Sequence, residues 1–325
     1  MDKKFLTYNQ QMRYLRDNKK IQCTGTADKT LLCRHGYFNL VNGYKMPFVT
    51  GTDIHGNYVY YPSTSLQQIF SVKQFDDTLR LFLLKHITKI EEEVRTFAAY
   101  KFDEINQRGA IPWYQVEAYN TSSSENIPKI ISLISKAYSE INRSKAEYVR
   151  FYFEHHKMLP TWILLKAISF STFIDFIDYG KTEIKTALCQ LYSLTTVDDY
   201  ADYKLLIGSL HWLRKIRNAC AHNERIYSIH RNSGRIRNTF LSLLPPQYAT
   251  ERMQNLLDLI MYCGFYLNTT DYASFMSYNN NWKIYVLLLS ETPTIISVTP
   301  WDSMTPVIWN FCSKLQKTSP TIIFN

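Results

Sequence analysis

One apolar repeat constrains this chain more than any other stretch of it. Leu79, Leu83, Ile87, Ile90, Val94 and Phe97 recur at spacings of four, four, three, four and three residues. That period lines them up on one face of an α-helix; a strand, whose side chains alternate every two residues, would scatter them over both faces. A long helix is therefore predicted from Ser71 to about Asn106. A stripe of that length must be buried against other elements, and what surrounds it reads as further helix. Ten Gly and eleven Pro in 325 residues are few, which also disfavours a turn-rich β fold. The expected class is all-α.

The remaining elements follow from caps and breakers. Residues 5–20 read as a helix with Thr7 as its N-cap and Met12 and Leu15 facing inward. A short helix over 26–35 follows, then the string G-Y-F-N-L-V-N-G-Y-K-M-P-F. Residues 50–62 read as a small hairpin turning at His55 to Asn57. After the long helix, 108–126 is a polar, Ser-rich connection. Helices are then expected from Pro128 to about Arg143, across Arg150, His155 and His156, after Pro160, over 181–194 and over 199–224. The acidic run at 198–203 suits a helix N-terminus, where carboxylates complement the dipole. Past Pro245 and Pro246 come expected helices at 248–268, 270–289 and near 303–317. The chain divides on this basis into an N-terminal helical and aromatic segment (1–70), a main helical domain (71–245) and a C-terminal accessory region (246–325).

The stretch richest in chemistry is His211 to Tyr227, H-W-L-R-K-I-R-N-A-C-A-H-N-E-R-I-Y, read as one helix with two faces. Leu206, Leu210, Leu213, Ile216 and Cys220 make its apolar stripe. His211, Lys215, Asn218, His222 and Arg225 fall on the opposite side. Arg217 breaks the pattern by projecting from the apolar side, where a guanidinium has to reach a carboxylate or line a cleft. One of Glu91, Glu92 and Glu93 is the expected partner. The plainer alternative is a solvated basic face with Arg217 lying along its edge.

A formal charge of +9 makes a polyanion such as nucleic acid a natural partner, and 24 Tyr supply stacking surfaces. Arg214, Lys215, Arg225, Arg231, Arg235 and Arg237 are the candidate phosphate-contacting cations, though charge alone does not separate RNA from DNA or a membrane surface, and Tyr37, Phe38 and Tyr44 are candidate stacking residues or core. Six well-separated Cys without a C-x-x-C pair, no apolar leader and no run of eighteen apolar residues imply a cytoplasmic protein without disulfides or a membrane span. His155 and His156 are adjacent and point to different helix faces. With no carboxylates at ligand spacing, no metal or other cofactor is expected.

The string R-N-A-C-A-H resembles the signature of HEPN-type ribonucleases, an Arg and a polar residue followed at four to six residues by His. The longer L-R-K-I-R-N-A-C-A-H-N-E-R-I-Y resembles the Abi-like (abortive infection) family of bacterial proteins. So do the Gly36 to Phe48 string, I-E-E-E-V-R at 90–95 and P-T-W at 160–162. The resemblance implies a HEPN-like helical bundle and a metal-independent endoribonuclease of a phage-defence or toxin–antitoxin system. Arg217 and His222 would be its catalytic pair, with Asn218 the polar residue beside the Arg. It also implies a homodimer with two motifs in one cleft, and a structured non-coding RNA as a partner. Histidine suits the proton transfers of 2′-OH attack, and arginine matches the non-bridging phosphate oxygens. Two alternatives stand beside this: a module that holds a structured RNA without cutting it, and a partner protein that binds nucleotides or a modifying enzyme.

Overall fold

The computed structural model describes residues 5–156, 158–196, 198–229 and 256–278. These residues are mostly helical, with a single two-stranded sheet among them, in line with the all-α expectation. Contacts divide them into two units, one of 5–82 with His222–Ile229 and one of Leu83–Ala221 with 256–278.

In the first unit, α1 (Tyr8–Lys19) starts at a reciprocal cap: the Gln10 N–H donates to the Thr7 hydroxyl and the Thr7 N–H donates to Gln10 Oε1. Helix α2 (Gly25–His35) leads into short helical turns at Phe38–Asn42 and Met46–Phe48. The hairpin of β1 (Val49–Thr52) and β2 (Tyr58–Tyr60) turns where expected. Gly56 takes a φ of 77° there, and Asp53 Oδ1 accepts from the His55 and Asn57 N–H groups at 2.8 Å each. Leu15, Ile21, Cys23, Leu32, Leu40, Val41 and Tyr44 form the core with Leu66 and Ile69 from the start of α3 (Leu66–Ile105). Of the three candidate stacking residues, Tyr44 is buried, Tyr37 packs on this core, and Phe38 is 74% exposed. Helix α3 begins at Leu66 rather than Ser71 because Ser65 and Gln68 make a second reciprocal cap, at 2.9 and 3.2 Å.

The second unit holds the rest of α3, with Leu83, Ile87, Ile90 and Val94 buried as their spacing requires. It continues through α4 (Asn126–Arg143), α5 (Glu147–His156), α6 (Thr161–Ala167), α7 (Phe170–Tyr179), α8 (Thr182–Leu191) and α9 (Tyr203–Ala221). Helices α10 (Leu256–Tyr266) and α11 (Thr269–Tyr278) complete it. Helix α7 packs against α4, α8 and α9, and α9 against α8 and α10. Phe102 and Phe176 meet at 4.7 Å between ring centroids, in a core where each fully buried large apolar side chain contributes about 1.5–3 kcal/mol.

Two expectations need correction here. The single helix after Pro160 is two helices, α6 and α7. Ile168 is extended (ψ 156°), Ser169 caps α7, and the Glu140 carboxylate accepts from the Ser169 N–H at 2.6 Å and from the Thr172 hydroxyl at 2.6 Å. The connection 108–126 is not simply polar, for Trp113 and Tyr119 are buried. The Trp113 indole donates to the Leu159 carbonyl at 2.7 Å and the Tyr119 hydroxyl to the Trp113 carbonyl at 2.6 Å. The expected helix near 303–317 lies outside the described residues. No helix among them is long and apolar enough to cross a membrane.

Candidate functional site

Helix α9 starts where the acidic run predicts, with the Leu205 N–H donating to Asp202 Oδ1 at 2.9 Å. Its stripe of Leu206, Leu210, Leu213, Ile216 and Cys220 is buried, and Trp212 with it. The helix ends at Ala221, not at Tyr227 as expected; Asn223 takes a left-handed φ of 55°. The physical reason lies on α3. The Asp76 carboxylate accepts from the backbone N–H of Tyr227 at 2.7 Å and of Ile226 at 3.2 Å, bonds that replace the helical ladder. The Tyr44 hydroxyl (2.9 Å) and Arg80 Nη1 (2.6 Å) also donate to Asp76. Burial pushes this carboxyl up, and the Tyr44, Tyr227, Arg80 and Ile226 donors pull it back.

The row His211, Lys215, Asn218, His222 and Arg225 therefore does not continue along one helix. His222 is the first residue past α9, exposed to solvent, and belongs to the first unit. Arg225, expected to hold a phosphate, donates to the Gly43 carbonyl at 2.8 Å and lies over the Tyr227 ring. Arg217 and Asn218 stay on α9 in the second unit. Asn218 Oδ1 accepts from Arg217 Nη1 at 3.2 Å, so its carboxamide engages the guanidinium.

Arg217 does both things its placement required. Its Nε lies 3.3 Å from Glu91 Oε2, which selects the first of the three glutamates. Glu91 Oε1 accepts from Arg95 Nη2 at 2.7 Å and from Arg95 Nε at 3.1 Å. One largely buried carboxylate thus carries two guanidinium groups and leaves a surplus positive charge. Arg95 is fixed further by the Leu165 carbonyl and the Phe173 ring. Burial pulls its pKa down, Glu91 pushes it back up, and the Arg217 charge opposes it; an arginine stays protonated throughout.

The Glu91, Arg95 and Arg217 groups line a cleft of about 1120 Å³ in the second unit. Helix α3 forms one wall from Thr88 to Glu104, and Arg108, Trp162 and Lys166 complete the lining. Arg217 is 37% exposed at its side chain, so its guanidinium is held on one side and open on the other. That is a geometry for receiving an anionic oxygen.

Among the other candidates, Arg214 is half-buried, while Lys215 is exposed with its ammonium 5.4 Å from the Trp212 ring centre. Arg231, Arg235 and Arg237 lie outside the described residues. Sequence reasoning missed Asp76 and Arg80. Their signal was a pair four residues apart on the long helix, the same sign that marked Glu91 and Arg95. It also missed the aromatic lining of the cleft, which periodicity does not reveal.

The family model described as Abi-like protein matches residues 30–228, a range that includes Asp76, Glu91, Arg217 and His222. No curated protein and no solved structure matches the chain.

Proposed function

Because the chain belongs to the Abi-like family, which covers well over half of its length, we propose that it is an abortive-infection effector. In this reading it is an endoribonuclease that cuts RNA by attack of the 2′-OH on the neighbouring phosphate. The observation that carries the reading is Arg217, held by Glu91 at 3.3 Å and open to a cleft, within the string R-N-A-C-A-H. Arg217 neutralises charge on the non-bridging oxygens as the 2′-oxygen bonds to phosphorus and the bond to the 5′-oxygen breaks. His222 serves proton transfer, the role for which histidine is suited near neutral pH. Its place just past the end of α9, rather than on the helix, leaves the imidazole exposed and available to RNA.

One histidine handles one of two proton transfers, and the chain has no second string of this form. The active species in this reading is a homodimer, in which a second copy brings its own His222. A structured RNA is the natural regulator of such a protein, and a net charge of +9 favours its capture.

Labelled RNA incubated with the purified protein tests this directly. The products should carry 2′,3′-cyclic phosphates, and cleavage should survive a chelator. Arg217→Ala and His222→Ala should each lower the rate at least about a hundredfold with the helical circular dichroism signal retained. Cleavage by His222→Ala at the parent rate would remove His222 from the mechanism. RNA bound tightly but left intact by the parent protein would favour a holder of RNA over a nuclease.

A further inference from the structure

The cleft beside Arg217 is larger than one phosphate needs, and its lining is not that of a plain basic groove. Its charged groups are four carboxylates (Glu91, Glu92, Asp103, Glu104) and four cations (Arg95, Arg108, Lys166, Arg217). Charge alone would not draw a polyanion into such a lining. Three of the carboxylates are already engaged, however. Glu91 carries Arg95 and Arg217, Glu104 pairs with Lys101 at 2.6 Å, and Asp103 accepts from the Thr161 hydroxyl at 2.6 Å. Of the four cations, Arg95 is committed to Glu91 and the Leu165 carbonyl. Arg217 has an open side, and Arg108 and Lys166 are exposed.

Two large rings complete the lining, Tyr100 at 62% exposed and Trp162 at 56%. Tryptophan is highly buried on average, though rarely completely so; here more than half of the residue is left open inside a concavity. The backbone is also bent to supply the cleft. Gln107, Arg108 and Gly109 follow one another with φ of 56°, 55° and 83°. Two successive non-glycine residues in the left-handed region are costly and have to be held by their surroundings. The Gly109 N–H donates to the Asp103 carbonyl at 2.9 Å and the Ile111 N–H to the Asn106 carbonyl at 3.2 Å, which holds the turn and sets Arg108 in the lining.

We propose that this cleft is a nucleotide subsite in which Tyr100 and Trp162 stack on bases next to the phosphate that Arg217 holds, while Arg108 and Lys166 contact the phosphates beyond it. The dimensions fit. The α3 wall from Thr88 to Glu104 runs about 24 Å at 1.5 Å per residue, room for more than one nucleotide. Stacking requires faces free of a paired strand, so the subsite takes unpaired RNA and excludes duplex. Aromatic faces tolerate every base, so affinity here depends on strandedness more than on sequence. A peptide with mixed charges is the competing occupant; the open guanidinium of Arg217 at one end of the lining favours the nucleotide.

This inference rests on Arg217 as the phosphate-holding group, and its test is binding rather than cleavage. Full-length His222→Ala protein, altered outside the lining, is titrated with a fluorescent unstructured RNA octamer and with the same strand annealed to its complement. The single strand should bind more tightly. Trp162→Ala and Tyr100→Ala should each weaken it about tenfold, and Trp162→Phe should restore most of the loss. Arg108→Ala with Lys166→Ala should flatten the dependence of log affinity on log salt by about 1.4, and Trp162→Ala should leave that slope alone. Unchanged affinity in Trp162→Ala and an unchanged slope in the double variant, with circular dichroism intact, would overturn the subsite, as would equal binding of the duplex. If the parent protein cuts RNA while these variants bind normally, the subsite fails and the nuclease stands. If the parent never cuts while the variants bind more weakly, the subsite stands and the nuclease fails.

Discussion

Arg95 and Arg217 share the Glu91 carboxylate but differ in how much water reaches them, 11% and 37% of their side-chain surface. Removing Arg217 takes away a half-solvated ion pair, and such pairs are worth up to about 1 kcal/mol. Glu91→Gln instead leaves the Arg95 charge desolvated without its counter-ion, which costs about 3 kcal/mol. Urea unfolding should therefore show Arg217→Ala close to the parent and Glu91→Gln clearly destabilised. Equal losses of stability would mean that Arg95 does not depend on Glu91. Asp76 falls in the second class: its side chain is fully buried and accepts from four groups, so Asp76→Ala should also cost about 3 kcal/mol or more. The E-E-E run left three candidates for the partner of Arg217. What separates them is orientation around α3, which buries Glu91 and leaves Glu92 and Glu93 exposed.

The ends of elements hold most of the differences between expectation and structure, because ends depend on partners distant in sequence. Helix α9 stops at Ala221 where Asp76, about 150 residues upstream, takes over the N–H groups of Ile226 and Tyr227. Helices α6 and α7 separate at Ser169 because Glu140 of α4 completes the cap. Packing between elements also carries a pH dependence. His86 of α3 is buried, with its ring edge-on to Phe275 of α11 at 5.1 Å. Burial lowers its pKa below 6.5, Lys85 and Lys89 add to that, and Asp271 opposes it. The folded state therefore disfavours the imidazolium. Its contribution to stability is complete above pH 6.5 and is lost as pH falls from there towards the lower folded value. Thermal unfolding should show a steeper acid-side loss in the parent than in His86→Gln. Parallel curves would show that His86 is not held neutral.

At the scale of the whole molecule, a charge of +9 coexists with a cleft whose lining is balanced in charge. In the proposed reading, long-range attraction of RNA and its local placement would thus be separate properties of this chain. Assembly is the remaining question at this scale, and the proposed chemistry answers it with two copies. Light scattering should find a dimer at micromolar concentration. Adding His222→Ala subunits to the parent should lower activity more steeply than their share of the mixture, since mixed dimers would hold one imidazole instead of two. Full activity in a strictly monomeric protein would rule out the composite site.

The long helix, the hairpin turn, the cap at Thr7 and the buried stripe of α9 were all legible in the sequence. Each is set by neighbours within a few residues, through side-chain period, capping groups or a glycine that tolerates positive φ. The R-N-A-C-A-H string and the misfit of Arg217 were legible for the same reason. Tertiary structure decided the rest. It chose Glu91 among three carboxylates, moved His222 off the helix, turned Arg225 onto Gly43, drew Trp113 and Tyr119 into the core, and left Tyr100 and Trp162 open in a cleft. All of these rest on contacts between segments far apart in the chain. Desolvation and hydrogen-bond geometry arbitrate there between options that local sequence leaves equally good.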